Sequence, residues 1–495
     1  MDEYNKYAAL ADTIQIEKIT SDRRKQSILQ RVKDNDERFD KLWICSYEQV
    51  VDELDYDFDS AEELAWLGYY LGHNTNVKEL YISSDLNNSG KDVFRRGLGK
   101  NKSICHLHIE GFDLLNGQMF RMLDIFLNNN NNLSKIKVND CRAGAEGVRQ
   151  LSLAIGDCNR SLKHFTLVES NIGGGQLVDI ITALSMHPQL TKLRLADIGT
   201  NMGRNECAAL STLLRCTTTQ LQKLDLSDDN IDDEGVEVLV DALTNVNTLK
   251  ELTLKNSMSI TSRGWKAVST LLEMPDSTLK KLDVSNNNIG DKGIEVFVTA
   301  LANNNTLETL NLQHCGITRE GWAPFSKLLC DTSSVNKTYL SNHTIDHIGT
   351  MNAVPGEVLQ YLILNGNDDK QQVAMSKILL FHSHFDMQAF FEWEFKVLPL
   401  MVSWFTKATR YLTTYDQKIG RLRLSATFDF IKEFPMLYIE PVTRQEIAKY
   451  TALEEQLQGK PAVEEQLLQG DQVGVKHEVR LEEIRRHKAR AMRRL

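Results

Sequence analysis

LKKLDVSNNNIGDKGIEVFVTALANNNT fills residues 279–306, and LETLNLQHCGITREGWAPFSKLLCDTSS follows it at 307–334 on the same plan, 28 residues later. In the first copy Leu282 and Val284 alternate with polar residues, as in a short strand with one face inward. SNNN (285–288) suits a tight turn. Within it, Asn287 is placed so that a buried amide can bond loop backbone groups left without a ladder partner. Ile289 returns to the interior. Gly293 stands where the chain bends into a helix, with Gly235 and Gly321 at the same offset. IEVFVTALANN then carries apolar residues at helical spacing. One such unit has too little core to fold alone. Stacked units bury one another's apolar faces and pair their strands in parallel.

The L-x-x-L-x-L frame starts at Phe39, Val77, Ile104, Leu133, Leu162, Leu190, Leu221, Leu249, Leu279, Leu307, Val335 and Leu359. From Val77 to Val335 the starts step by 27 to 31 residues, the signature of a solenoid. The 495-residue length would otherwise suggest about three domains. A repeat array is one continuous unit, so that count does not apply.

The position of Asn287 is Cys315 in the next unit and Cys141 in an earlier one. A cysteine there reads as a small buried side chain, not as a nucleophile or metal ligand. The Asn/Cys alternation, the 28–29 residue period and the glycine-led apolar helix resemble the ribonuclease-inhibitor-like class of leucine-rich repeats. The resemblance covers residues 39–366 and is most specific at 221–330. It implies an α/β leucine-rich-repeat solenoid, a right-handed horseshoe with a parallel concave sheet, convex helices and helical caps at both ends. Some units depart from the pattern. ADIGTNMG replaces the Asn turn in the Leu190 unit, and the Leu249 unit gains a residue before Ile260. The first unit runs 38 residues to the second, and the Val335 unit only 24 to the last.

Residues 1–38 are expected to form an N-terminal helical cap, with the amphipathic QSILQRVKDND covering the first repeat. Solenoid ends need such covers because a bare end exposes core. Past Leu364 the period stops, and nine aromatics fall between Phe381 and Tyr411. Residues 367–445 are expected to be a C-terminal helical cap, resembling those of algal leucine-rich-repeat proteins. Residues 446–495 read as a polar, partly helical tail whose last twenty residues hold eight Lys/Arg against three acids.

The formal charge of -10 gives no bulk attraction to nucleic acid or anionic membrane. The N-terminus lacks an apolar signal core, and VLPLMVSWF (397–405) is too short to span a bilayer. The eight cysteines stand singly, without CxxC, which suits reduced thiols in cytosol or nucleus. No P-loop, G-x-S-x-G or HExxH occurs, so the chain is expected to be no enzyme and to need no cofactor, although innate sensors of this repeat class carry a nucleotide-binding module. DYDFDSAEE (55–63) opens like a calcium loop. Ser60 and Trp66 stand where Gly and Glu are needed, so it reads as an acidic loop. His382 and His384 lack a second ligand pair.

What remains is the concave face, where residues between the inward leucines point outward. Its early strands offer Trp43, Tyr81, His106, His108, Lys135, Lys137, His164 and Arg194. Its later strands offer a self-neutralising mixture of Asp, Thr, Asn and Lys. Aromatics beside cations make interface hot spots. A non-catalytic intracellular scaffold or regulator is therefore expected, binding a protein partner, acidic in character, on this face. No small-molecule substrate or membrane is expected, and nucleic acid is disfavoured. A GTPase-regulatory role is the alternative that the same repeat class suggests. A further alternative is binding of nucleic acid or an acidic partner by the basic tail, through Arg485, Arg486, Lys488, Arg490, Arg493 and Arg494.

Overall fold

The computed structural model describes residues 3–45, 55–83, 91–111, 118–141, 144–158, 160–199, 201–216, 220–349 and 354–382, all within one compact unit, Met1–His382. Eleven strands among them form a single parallel sheet. They are β1 (Lys41–Ile44), β2 (Asp55–Tyr56), β3 (Glu79–Ile82), β4 (His106–Glu110), β5 (Lys135–Asn139), β6 (His164–Val168), β7 (Lys192–Ala196), β8 (Lys223–Asp225), β9 (Glu251–Thr253), β10 (Lys281–Asp283) and β11 (Thr309–Asn311). From β11 back to β3 the strands lie in chain order, followed by β1 and then β2 at the edge.

A helix follows each strand from β2 to β11. These are α3 (Ala61–His73), α4 (Lys91–Lys100), α5 (Gln118–Asn129), α6 (Ala145–Asp157), α7 (Gly174–Leu184), α8 (Arg204–Arg215), α9 (Asp233–Leu243), α10 (Ser262–Glu273), α11 (Gly290–Leu301) and α12 (Trp322–Leu329). Successive helices pack on one another. α3 and α4 approach so closely that a Cβ on Gly97 would lie 1.8 Å from the carbonyl oxygen of Gly68.

The register is that of a repeat. Leu42, Leu80, Leu107, Ile136, Phe165, Leu193, Leu224, Leu252, Leu282 and Leu310 pair strand to strand in one row, and every one is buried. Each such side chain contributes roughly 1.5–3 kcal/mol by leaving water. The turn repeats as well. Asp140, Glu169, Asp197, Asp228, Asn256, Asn286 and His314, each seven residues past its unit's first apolar position, hold φ between 47° and 64°. Asp and Asn tolerate this left-handed conformation best among L residues.

The next residue turns inward. Asn287 donates through Nδ2 to the carbonyls of Leu254 and Val284, both at 2.8 Å, and accepts from the Ser257 amide at 2.7 Å. Cys315 donates from Sγ to the Val284 carbonyl at 3.2 Å. Its thiol is pushed up to about 12 by burial, which fits a structural thiol rather than a nucleophile. A second polar column lies three residues before the strand frame. There Asn101 donates to Leu71 and Asn74 carbonyls at 2.6 and 3.0 Å, Asn304 to Leu272 at 2.9 Å, and Asn342 to Leu301 and Asn304 at 3.1 and 2.8 Å.

At the N-terminal end lie α1 (Glu3–Leu10) and α2 (Arg23–Lys33). α2 buries Ile28, Leu29 and Val32. The stretch read as an acidic loop is instead partly strand, β2, and its acids serve α2. Lys25, 2% exposed, lies 3.1 Å from Asp57, 2.7 Å from Asp59 and 3.9 Å from Glu63, and Arg24 also bonds Asp57.

The last two expected strands are corrected. Val335–Tyr339 is a short helix, α13, whose Ser334 side chain accepts from the Lys337 amide. The Leu359 unit lies inside α14 (Gly356–Asn365), which buries Val358, Tyr361, Leu362 and Asn365 at helical spacing. The neighbour of β11 is His347, which bridges Thr309. Ile345 and Ile348, both buried, take the two first apolar positions of the frame. α15 (Lys370–Phe381) follows. Its Lys377 is buried and donates to the Leu329 carbonyl at 2.6 Å. His382 lies 2.7 Å from the Thr338 hydroxyl. His384, the remaining aromatic segment and the tail lie outside the described residues.

Candidate interface on the concave sheet

Strand register brings the early outward residues into two columns. One runs Lys41, Glu79, His106, Lys135, His164, Lys192 and the other Trp43, Tyr81, His108, Lys137, Thr166, Arg194. In the second column the rings stack across strands. Trp43 and Tyr81 have centroids 4.0 Å apart with planes 4° from parallel, and Tyr81 and His108 are 4.2 Å apart at 19°. The result is a three-ring ribbon. It slopes from Trp43, 36% exposed, to His108, 9% exposed. That ordering was not legible in the sequence, which gave the ring types but not their mutual contact.

Glu79 anchors the ribbon. Its carboxylate accepts the Tyr81 hydroxyl at 2.7 Å and lies 3.6 Å from Lys41 Nζ and 3.4 Å from His106 Nδ1. Against the opposing effect of burial, these neighbours hold its carboxyl below the usual range. Burial and Glu79 together push the Tyr81 phenol up to about 12, so it remains a donor.

Two of the histidines, His108 and His164, are held towards their neutral form. Burial, with Lys135 and Lys137 nearby, drives His108 down to about 4. Burial together with Lys192 and Lys135 also lowers His164. Lys135, Lys137 and Lys192 have no acidic partner among the described residues, whereas Arg194 lies 3.2 Å from Asp225. Further along, Lys223 is 2.6 Å and Lys281 3.9 Å from Glu251, and Asn311 donates to Asp283 at 2.9 Å. Arg194, offered with the lysines as a partner-binding residue, thus has an acid for its neighbour on β8. Arg485, Arg486, Lys488, Arg490, Arg493 and Arg494 lie outside the described residues. Among the described residues no cluster of His, Cys, Asp and Glu could hold a metal ion, and no helix is long and apolar enough to cross a membrane.

The chain is similar to several known proteins. A family model described as "Leucine Rich repeat" matches residues 219–240, 276–298 and 303–326, each including one strand and part of the following helix. The chain is 26% identical over 306 residues to mouse "NACHT, LRR and PYD domains-containing protein 14", a match covering 60% of this chain and 30% of that protein. It is 26% identical over 223 residues to the ribonuclease inhibitor of Sus scrofa, covering 45% of this chain and 48% of that one. Among solved structures, an internalin from Listeria monocytogenes aligns with 68% of this chain and 97% of its own at 17% identity and a TM-score of 0.36. The chain thus spans about half or less of the curated relatives' length. The parallel apolar row, the Asn/Cys turn column and these sequence matches agree: the chain is built of leucine-rich repeats and is similar to the ribonuclease inhibitors.

Proposed function

We propose that this protein is a non-catalytic binding protein that grips an acidic protein partner on the first half of its concave sheet, β1 and β3 to β7. The observation that carries the reading is the pairing of a stacked aromatic ribbon with Lys135, Lys137 and Lys192. Unpaired lysines on a folded surface gain most by meeting carboxylates, and electrostatic complementarity steers association and selects partners. Buried aromatic anchors with a charged rim match the anatomy of energetic interface centres. The relatives named above include an inhibitor that acts by binding, in keeping with this role. The buried thiols suit a reducing compartment such as cytosol or nucleus.

The experiment is affinity capture with full-length protein, read by mass spectrometry, comparing the wild type with Lys135→Glu/Lys137→Glu and with Lys223→Glu/Lys281→Glu. The expected result is a set of acidic proteins lost by the first variant and kept by the second. An unchanged set with the first variant rejects the site. GTPase regulation is separated by a stimulated GTP-hydrolysis assay on small GTPases. Binding through the basic tail is separated by deleting 446–495.

A further inference from the structure

The ribbon constrains the partner's chemistry beyond overall charge, an inference that rests on the binding role proposed above. An aromatic ring is negative on its faces and positive at its edge. Trp43, Tyr81 and His108 sit at matching register on neighbouring strands and stack across them. Their faces therefore point along the sheet at one another, and their edges point into the groove. Face contacts of the cation–π kind are closed off between the three rings. The groove meets the positive edges of Trp43 and Tyr81.

We propose that these edges are themselves an anion-reading element: an extended acidic segment of the partner crosses the strands with its carboxylates against the rims of Trp43 and Tyr81, and then reaches Lys137 and Lys135. Glu79 does not oppose this, because it is engaged by the Tyr81 hydroxyl at 2.7 Å and lies 3.6 Å from Lys41 and 3.4 Å from His106. The same contacts fix the rings before binding, so little side-chain freedom remains to be lost when a partner docks. Length follows from strand geometry. Trp43 on β1 and Lys137 on β5 are three strand spacings apart in the sheet, roughly 14 Å, which an extended chain covers in about four to five residues. A hexapeptide is long enough to test it.

The test is fluorescence anisotropy of labelled hexaglutamate, hexaglutamine and hexalysine with the full chain, at low and high salt. Variants are Trp43→Ala, Trp43→Phe, Tyr81→Phe and Lys135→Gln/Lys137→Gln, each checked for an unchanged circular dichroism spectrum. The expected result is binding of hexaglutamate alone. Trp43→Ala should weaken it about tenfold at both salt concentrations and Trp43→Phe, which keeps a ring edge, less than about threefold. Tyr81→Phe, which frees Glu79, should weaken it severalfold. Lys135→Gln/Lys137→Gln should weaken it and flatten its salt dependence, since exposed charge pairs are screened by salt. If Trp43→Ala binds as the wild type does while the lysine variant fails, the edge-on inference is overturned and the lysine-lined face stands. Hexalysine binding that depends on Trp43 also overturns it, by showing face contacts. If no variant alters hexaglutamate binding, or hexaglutamate does not bind, the proposed function falls as well.

Discussion

On β8 to β11 the outward charges answer one another: Lys223 and Lys281 share Glu251, and Asp283 takes the Asn311 amide. On β5 to β7 the lysines at 135, 137 and 192 have no acid beside them among the described residues, and three rings stack on β1, β3 and β4 instead. Both halves hang from the same buried row of apolar side chains in the same register. The repeat therefore fixes where an outward side chain stands and leaves open what it does. Function is to be sought where neighbouring copies fail to satisfy each other.

A second contrast lies inside the turns. Asn287 gives its amide to the carbonyls of Leu254, Val284 and Ser285, while Asp229, at the same position of the Leu221 unit, accepts the Ile198 amide at 2.9 Å through Oδ1 and leaves Oδ2 buried without a hydrogen-bond partner. Burial first, then Asp197, Asp225 and Asp228, push its carboxyl up to about 8. The folded state thus keeps a proton that the unfolded chain releases near the ordinary carboxylate range.

The largest effect is expected at the N-terminal cap, which tests whether the first half depends on its end in a way the second does not. Lys25→Ala leaves Glu63 buried without its cation and Asp57 with Arg24 alone, and breaking such a buried pair costs about 3–5 kcal/mol. Urea denaturation should show the loss. Hydrogen exchange should localise it to α2 and α3, leaving α9 to α11 protected.

The turn contrast predicts opposite effects of two exchanges. Because the folded pKa of Asp229 is raised, the stability it contributes is complete below its unfolded pKa and is lost as pH rises towards about 8, at about 1.4 kcal/mol per pH unit. Asp229→Asn removes that dependence. It should raise the melting temperature at pH 7.5 and have little effect at pH 4. Asn287→Asp should lower the melting temperature and make it fall with pH. Equal melting temperatures for wild type and Asp229→Asn across pH 4–8 would rule this out. The smallest stability effect belongs to the later charge pairs. Lys223→Gln should cost no more than about 1 kcal/mol, as exposed ion pairs do, and Lys135→Gln, with no pair to lose, should change stability by less than about 0.5 kcal/mol.

Much of this fold was legible because its signal is periodic. Leu224, Leu252, Leu282 and Leu310 recur at nearly equal steps and can occupy one row only if the chain coils. The reading failed where the same short pattern meets a different context. V-x-x-T-x-L at 335–340 fits the strand frame, but Ser334 caps a helix there, and the frame is carried instead by Ile345 and Ile348, heralded by Asn342 three residues before. That Asn column was itself visible at 74, 101, 130 and 304, as a polar residue recurring at fixed offset before an apolar run. The candidate site was half legible. Side-chain types and columns could be read from the alternation in each strand. Ring stacking, the neutrality of His108 and the pairing of Arg194 with Asp225 depend on which neighbour the adjacent strand supplies.

The central claim is that the first half of the concave sheet holds the partner. Hydrogen–deuterium exchange on the purified complex with a captured partner tests it most directly. New protection is expected on binding at 41–44, 79–82, 106–110 and 135–139 and none at 223–225, 251–253, 281–283 and 309–311. Protection confined to the later strands, or absent from the sheet altogether, would contradict it.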